Sequence, residues 1–264
     1  MPFTLCLNTS TIKPAPLMDK IRLTAEAGFA GVELWLNDIY EYVGRGGEVR
    51  DVEKALSDHG LIVPCTIAMR AWGEASDLEY PLMLDECRRR MELAVRIGSP
   101  YIVATPPREP CDLSRIAARY KDLLAIGREV GIKPVMEYIS FFKSVTRLDQ
   151  AWRIVQQVDD PDATIILDAF HTWNSGGSLD DLRPIPVERI AHYHIDDGLE
   201  VTPEGKRRGQ QTDPDRVMPG DGAIDLRGEV ALLTEKGYDG TVSLELFNKS
   251  LWERDPRDVL AQGI

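Results

Sequence analysis

The sequence predicts an α/β chain folded as a single (β/α)8 TIM barrel over residues 1–264, an eight-stranded parallel barrel with outer helices. Three observations predict it: short apolar, β-rich runs recur eight times, segments with helical apolar spacing lie between them, and glycines stand where several helices must end. The runs are FTLCLN (3–8), GVELW (31–35), LIVPCTI (61–67), YIVAT (101–105), KPVMEY (133–138), TIILDAF (164–170), IAHYHI (190–195) and TVSLELF (241–247). Helical spacing is clear at Leu84, Cys87, Met91, Ala94 and Val95, and again at Leu148, Ala151, Trp152 and Val155. Gly28, Gly98, Gly131 and Gly237 precede strands and suit left-handed helix caps.

Near-continuous apolar strands alternating with amphipathic helices imply a parallel sheet covered by helices, and eight such repeats favour closure. A doubly wound open sheet would carry GxGxxG after its first strand, where this chain reads LNTSTIKPAP. The 43% hydrophobic and 28% charged composition is that of a globular chain, with no linker-like tract to divide it.

A formal net charge of −12 opposes nucleic acid and anionic membrane surfaces as partners. The start, MPFTLCLNTS, lacks a basic region followed by an apolar signal core, and no run of about 18 apolar residues is present. The expectation is a cytoplasmic protein. Cys6, Cys65, Cys87 and Cys111 are scattered without CxxC spacing and read as reduced thiols.

Barrel enzymes place their chemistry at the C-terminal ends of the strands, so polar residues closing apolar runs are the informative ones. Glu137, Asp168, His194 and Glu245 close the fifth to eighth runs. Carboxylates in apolar settings need a cation, and several converging ones repel each other, so one divalent metal ion (Mn2+, Mg2+, Co2+ or Zn2+) resolves the conflict. Unrelated buried acids paired with arginines are the alternative. In IAHYHIDDG (190–198), His192, His194 and Asp196 share one face of an extended strand, a pattern equally shown by a solvent-facing edge. His192, one pleat deeper than His194, reads as a hydrogen-bonded core residue. Asp196 either orients His194 or meets a substrate, and Asp197 faces the other way, into a loop. Glu33 and Trp35 alternate on the second strand and reach the pocket floor or rim.

The segments LCLNTST, GVELW, LDAFHTW, YHIDD, DPDRVMPGDGAIDL and VSLELF resemble the xylose isomerase-like superfamily of sugar isomerases and epimerases, and within it the 2-keto-myo-inositol isomerases of inositol catabolism. The resemblance covers nearly the whole chain. It implies a metal held by Glu137, Asp168, His194 and Glu245, with Glu137 and Glu245 also acting as catalytic acid and base. It further implies that His171 and Arg216 contact a keto-polyol or sugar substrate; Trp35, Glu33 and Asp196 are candidate substrate contacts from their strand positions alone, and at Trp35 the compared isomerases carry a basic residue instead. Arg216 lies in a long polar stretch, 198–222, that suits a lid; Lys206, Arg207 and Arg208 read as its solvated charges.

Isomerisation and epimerisation are both open on these grounds. So are two alternatives, an inosose- or dehydroshikimate-type dehydratase and a non-catalytic sugar-binding barrel. Related dehydratases often carry a lysine where this chain has Asp196, which argues against the first. The helix expected after the eighth strand is short, leaving a seam that a second copy in a homo-oligomer would cover.

Overall fold

The computed structural model describes residues 3–264. Eight strands pair in parallel and in sequence order, and the last pairs with the first to close the barrel. They are β1 (Thr4–Asn8), β2 (Gly31–Trp35), β3 (Thr66–Met69), β4 (Tyr101–Ala104), β5 (Lys133–Met136), β6 (Thr164–Asp168), β7 (Ile190–Ile195) and β8 (Thr241–Leu244). Around them lie helices α1 (Leu17–Glu26), α2 (Leu36–Gly44), α3 (Val49–Asp58), α4 (Tyr80–Arg96), α5 (Leu113–Val130) and α6 (Leu148–Val158). They are followed by α7 (Ala169–Asn174), α8 (Leu179–Leu182), α9 (Leu226–Glu235), α10 (Lys249–Trp252) and α11 (Pro256–Gln262).

The third strand departs most from expectation. From the run 61–67, Ile62 makes only an isolated bridge to Gly31, and continuous pairing starts at Thr66. Pro64 has no N–H to give a ladder, so the regular strand forms after it and runs on to Met69. Elsewhere the ladder stops slightly before the apolar run does. Glu137 and Glu245 therefore stand just beyond β5 and β8, on backbone that is leaving the sheet.

The glycines behave as their positions require. Gly28, Gly98, Gly131 and Gly237 have φ of 96°, 83°, 92° and 78°, the left-handed region that lets the chain turn at once into the next strand.

Within the barrel, Cys65, Ile67, Val103, Val135 and Ile166 belong to one buried apolar cluster. Val135 and Ile166 precede Glu137 and Asp168 by two residues, so those acids share a face with this apolar plug and sit one layer nearer the C-terminal mouth. The seam at β8 is closed by the chain itself: Val259 and Leu260 of α11 are buried with Leu23, Phe29 and Leu244. The four cysteines are free thiols. No helix among the described residues is long and apolar enough to cross a membrane.

Candidate active site

Register decides which side chains meet. Asn8 pairs with Glu33, Asp168 with His194, and His194 with Ser243, while Leu7 pairs with Leu244. Paired residues of parallel strands point to the same face, so Asn8, Glu33, Asp168 and His194 project together into the barrel mouth. Glu245, two residues past Ser243, joins them.

His194 is the centre of this layer. Its Nε2 lies 2.9 Å from Glu33 Oε2, and its Nδ1 lies 3.2 Å from Glu245 Oε2 and 3.7 Å from Asp168 Oδ2. One donor atom each from Asp168, His194 and Glu245 falls within 4.8 Å of the others. Glu33, His192 and His194 form a second such group. There, however, both nitrogens of His192 are engaged, Nδ1 with Thr241 Oγ1 at 2.6 Å and Nε2 with Ser243 Oγ at 2.9 Å. His192 is thus hydrogen-bonded in the core.

Local structure fixes the flanking groups. Asp168 caps α7 by accepting the His171 amide on Oδ1 at 2.6 Å, which leaves Oδ2 turned to the centre. Asn8 caps the 3-10 turn Thr9–Ile12 with Oδ1 and donates through Nδ2 to Glu33 Oε2 (2.8 Å) and Glu245 Oε1 (2.9 Å). Asn8 was not foreseen as a site residue. Its signal was present, since it is a polar residue closing an apolar strand, the same criterion that picks out Asp168.

Arg216 is buried at 1% exposure, which the expected lid position did not suggest. Its Nη1 donates to Asp168 Oδ2 at 3.0 Å and Glu245 Oε2 at 2.9 Å, and also to Asp196 Oδ2. Its Nη2 lies 2.9 Å from Asp213 Oδ1 and 3.0 Å from His171 Nε2. Its Nε is buried without a protein partner. The arginine is pulled inward because acids from three strand ends outbid solvent for it.

The segment 198–222 is anchored rather than loose. Asp197 is buried and its carboxylate accepts the amides of Gly198, Gly220, Gly222 and Ile224 at 2.8 to 3.0 Å. Its backbone also pairs with Val217. Lys206 bonds Asp215 at 2.8 Å, and Arg208 donates to the carbonyls of Trp173 and Gly177 at 2.6 and 2.8 Å, so neither is a free solvated charge.

Above this layer opens a cavity of about 230 Å³ lined in part by Glu137, Glu245, His171, Arg216, Trp35 and Phe247. Glu33, Asp168, His194 and Asp196 lie outside the lining, behind it. Glu33 and Asp196, expected as substrate contacts, lie against His194 and Arg216 respectively. Glu137 shares the cavity with Glu245 but stands outside the Asp168–His194–Glu245 group.

Burial pushes the Glu137 carboxyl up to about 7 and that of Glu245 up to about 8, despite the nearby His194. Burial works against charge on His194 too, but Glu245 and Glu33 outweigh it and raise its pKa well above the ordinary value. His171 moves the other way, down to about 4, because burial is not compensated. Asp168 stays ionised against burial because Arg216 faces it. Six acidic side chains, Glu33, Glu137, Asp168, Asp196, Asp213 and Glu245, thus surround the Arg216 guanidinium and the His194 imidazole. An oxygen-rich set with one nitrogen and an excess of negative charge is the donor chemistry of a divalent ion.

The chain is 30% identical over 243 residues to an inosose isomerase of Halalkalibacterium halodurans, covering 84% of this chain and 83% of that one. It is 26% identical over 251 residues to a 3-dehydroshikimate dehydratase of Pseudomonas putida, covering 94% of this chain but 39% of that protein. A crystal structure of the IOLI protein with a bound zinc atom superposes with a TM-score of 0.90 at 25% identity, over 99% of this chain and 95% of that one. The family profile for the xylose isomerase-like TIM barrel matches residues 21–264, and the chain belongs to that family.

Proposed function

We propose that this chain is a divalent-metal-dependent isomerase or epimerase of a keto-polyol or sugar, with 2-keto-myo-inositol as the first candidate substrate. The observation that carries the reading is His194, whose Nδ1 faces Asp168 and Glu245 while Glu33 holds its Nε2. An imidazole oriented by a carboxylate on one nitrogen is the arrangement that metal-binding histidines use. Asp168, His194 and Glu245 would hold the ion, with Glu137 as the fourth ligand from across the cavity. Bound there, the ion would supply positive charge against developing oxyanions of the substrate.

The chain's own residues account for the rest. Glu137 and Glu245 both line the cavity, and in the metal-free protein burial raises their carboxyls to about 7 and about 8, which suits an acid and a base. One removes a proton from the carbon beside the substrate carbonyl. Return of that proton to the former carbonyl carbon, with the hydroxyl proton passing from its own oxygen to the former carbonyl oxygen, gives isomerisation, and return to the other face of the same carbon gives epimerisation. Neutral His171 and the partnerless Nε of Arg216 provide polar contacts for substrate oxygens. Trp35, Phe247 and Phe141 wall the cavity and restrict water around the reacting carbons.

The test is incubation of the manganese-loaded chain with 2-keto-myo-inositol and a panel of ketoses in D2O, followed by NMR. Deuterium at the carbon beside the carbonyl, with an isomeric ketone as product, is the expected result. An unsaturated product absorbing in the ultraviolet would assign the chain to the dehydratases instead. Stoichiometric metal with no exchange on any ketone would leave a sugar-binding barrel.

A further inference from the structure

The two sides of the cavity differ in charge. The ends of β5, β6 and β8 contribute Glu137, His171, which follows β6, and Glu245, and the only cation among them, Arg216, is spent on Asp168, Asp196, Asp213 and Glu245. The opposite side carries Arg70, directly after β3, and Arg108, in the loop after β4.

These two arginines are held without being neutralised. The Arg70 guanidinium carbon lies 5.4 Å from the Trp35 ring centroid, and that of Arg108 lies 5.0 Å from the Phe142 ring. An aromatic face steadies a guanidinium while leaving its in-plane N–H donors available. The acid next to Arg108, Glu109, is taken by Lys143 at 2.7 Å. Glu74, which also lines the cavity, forms no ion pair with either arginine among the described residues. Both arginines are exposed at the cavity and, among the described residues, have neither an acid nor a carbonyl as side-chain partner, which in a chain of net charge −12 leaves their donors open to a ligand.

We infer that Arg70 and Arg108 form an anion subsite, which favours over neutral 2-keto-myo-inositol a keto-polyol that carries a carboxylate or a phosphate at the end remote from the reacting carbons. This inference rests on the proposed keto-polyol chemistry for the orientation of the substrate. The acidic side would hold the neutral, hydroxyl-bearing end. The paired guanidinium forks match the planar oxygens of a carboxylate or the three of a phosphate, which a neutral polyol does not offer.

Three six-carbon probes test it by titration of the manganese-loaded full chain, read by tryptophan fluorescence and calorimetry: fructose, 5-keto-gluconate and fructose 6-phosphate. At least one anion should bind about tenfold or more tighter than fructose, and which one does so separates carboxylate from phosphate. The gap should shrink as salt is raised, because exposed guanidiniums are screened. In R70Q/R108Q it should fall below about threefold, with R70K/R108K retaining part of it. Fructose binding as tightly as both anions, or a full gap surviving in R70Q/R108Q, would overturn the subsite. Binding is read without turnover, so the two proposals fail separately. An arginine-dependent anion preference in a chain that exchanges no deuterium upholds the subsite and refutes the isomerase reading, and exchange without anion preference does the reverse.

Discussion

Glu33 holds His194 by the nitrogen that faces away from Asp168 and Glu245, at 2.9 Å from Nε2, and both side chains are buried. The carboxylate therefore fixes the direction of Nδ1 and raises its donor strength. Replacement Glu33→Gln preserves shape and removes the charge. Manganese affinity, measured by competition with a chelator, should fall about ten- to hundredfold. An unchanged affinity would show that Glu33 serves only the hydrogen bond from Asn8.

Arg216 Nη1 uses the same oxygens, Asp168 Oδ2 and Glu245 Oε2, that face His194 Nδ1. A guanidinium and a dication compete for them. In Arg216→Ala the apparent metal affinity should rise, by roughly tenfold, while kcat/KM falls about ten- to hundredfold from loss of a charge-assisted contact to substrate. A fall in metal affinity would mean that the arginine supports the ligands rather than competing with the ion.

Glu245 belongs to the close donor group and Glu137 does not. Glu245→Gln should abolish both stoichiometric metal and turnover. Glu137→Gln should still bind about one ion per chain, more weakly, and lose about a hundredfold or more in kcat as a missing proton carrier. Elemental analysis beside single-turnover kinetics distinguishes the two. Equal metal loss in both variants would make Glu137 an equal ligand.

Glu229 is buried on α9, accepts the Tyr193 hydroxyl at 2.6 Å, and has its pKa raised by burial from 4.5 to about 7. The native state then binds more protons than the unfolded state between those values. Its contribution is fully present below 4.5 and is lost as pH rises through about 7. The loss amounts to up to roughly 3 kcal/mol. Urea unfolding of metal-free protein should show a shallower decline in stability between pH 5 and pH 8 in Glu229→Gln than in the native sequence, by about 1 to 3 kcal/mol. Parallel profiles would refute the assignment.

The barrel was legible because its signals are local. Apolar runs, helical spacing and capping glycines act within a few residues, and each strand of the closed sheet overlaps a run identified beforehand; β3 moved most, forming after Pro64 and running on to Met69, while β1, β4, β5, β6 and β8 are shorter than their runs. The strand-end rule likewise marked Asp168, His194, Glu137 and Glu245, because an ionisable residue ending an apolar strand is conspicuous in sequence. What tertiary structure alone decided is which atoms face which. Inter-strand register places Glu33 against His194, and brings Asn8 onto Glu33 and, across the barrel closure, onto Glu245. Arg216 is drawn from a polar segment into full burial by acids contributed from distant strands, and Asp197 becomes the anchor of that segment through four backbone amides. Such electrostatic choices depend on the summed field of groups far apart in the chain. Periodicity carries no record of that field, so composition and spacing name the participants while the closed barrel assigns their partners.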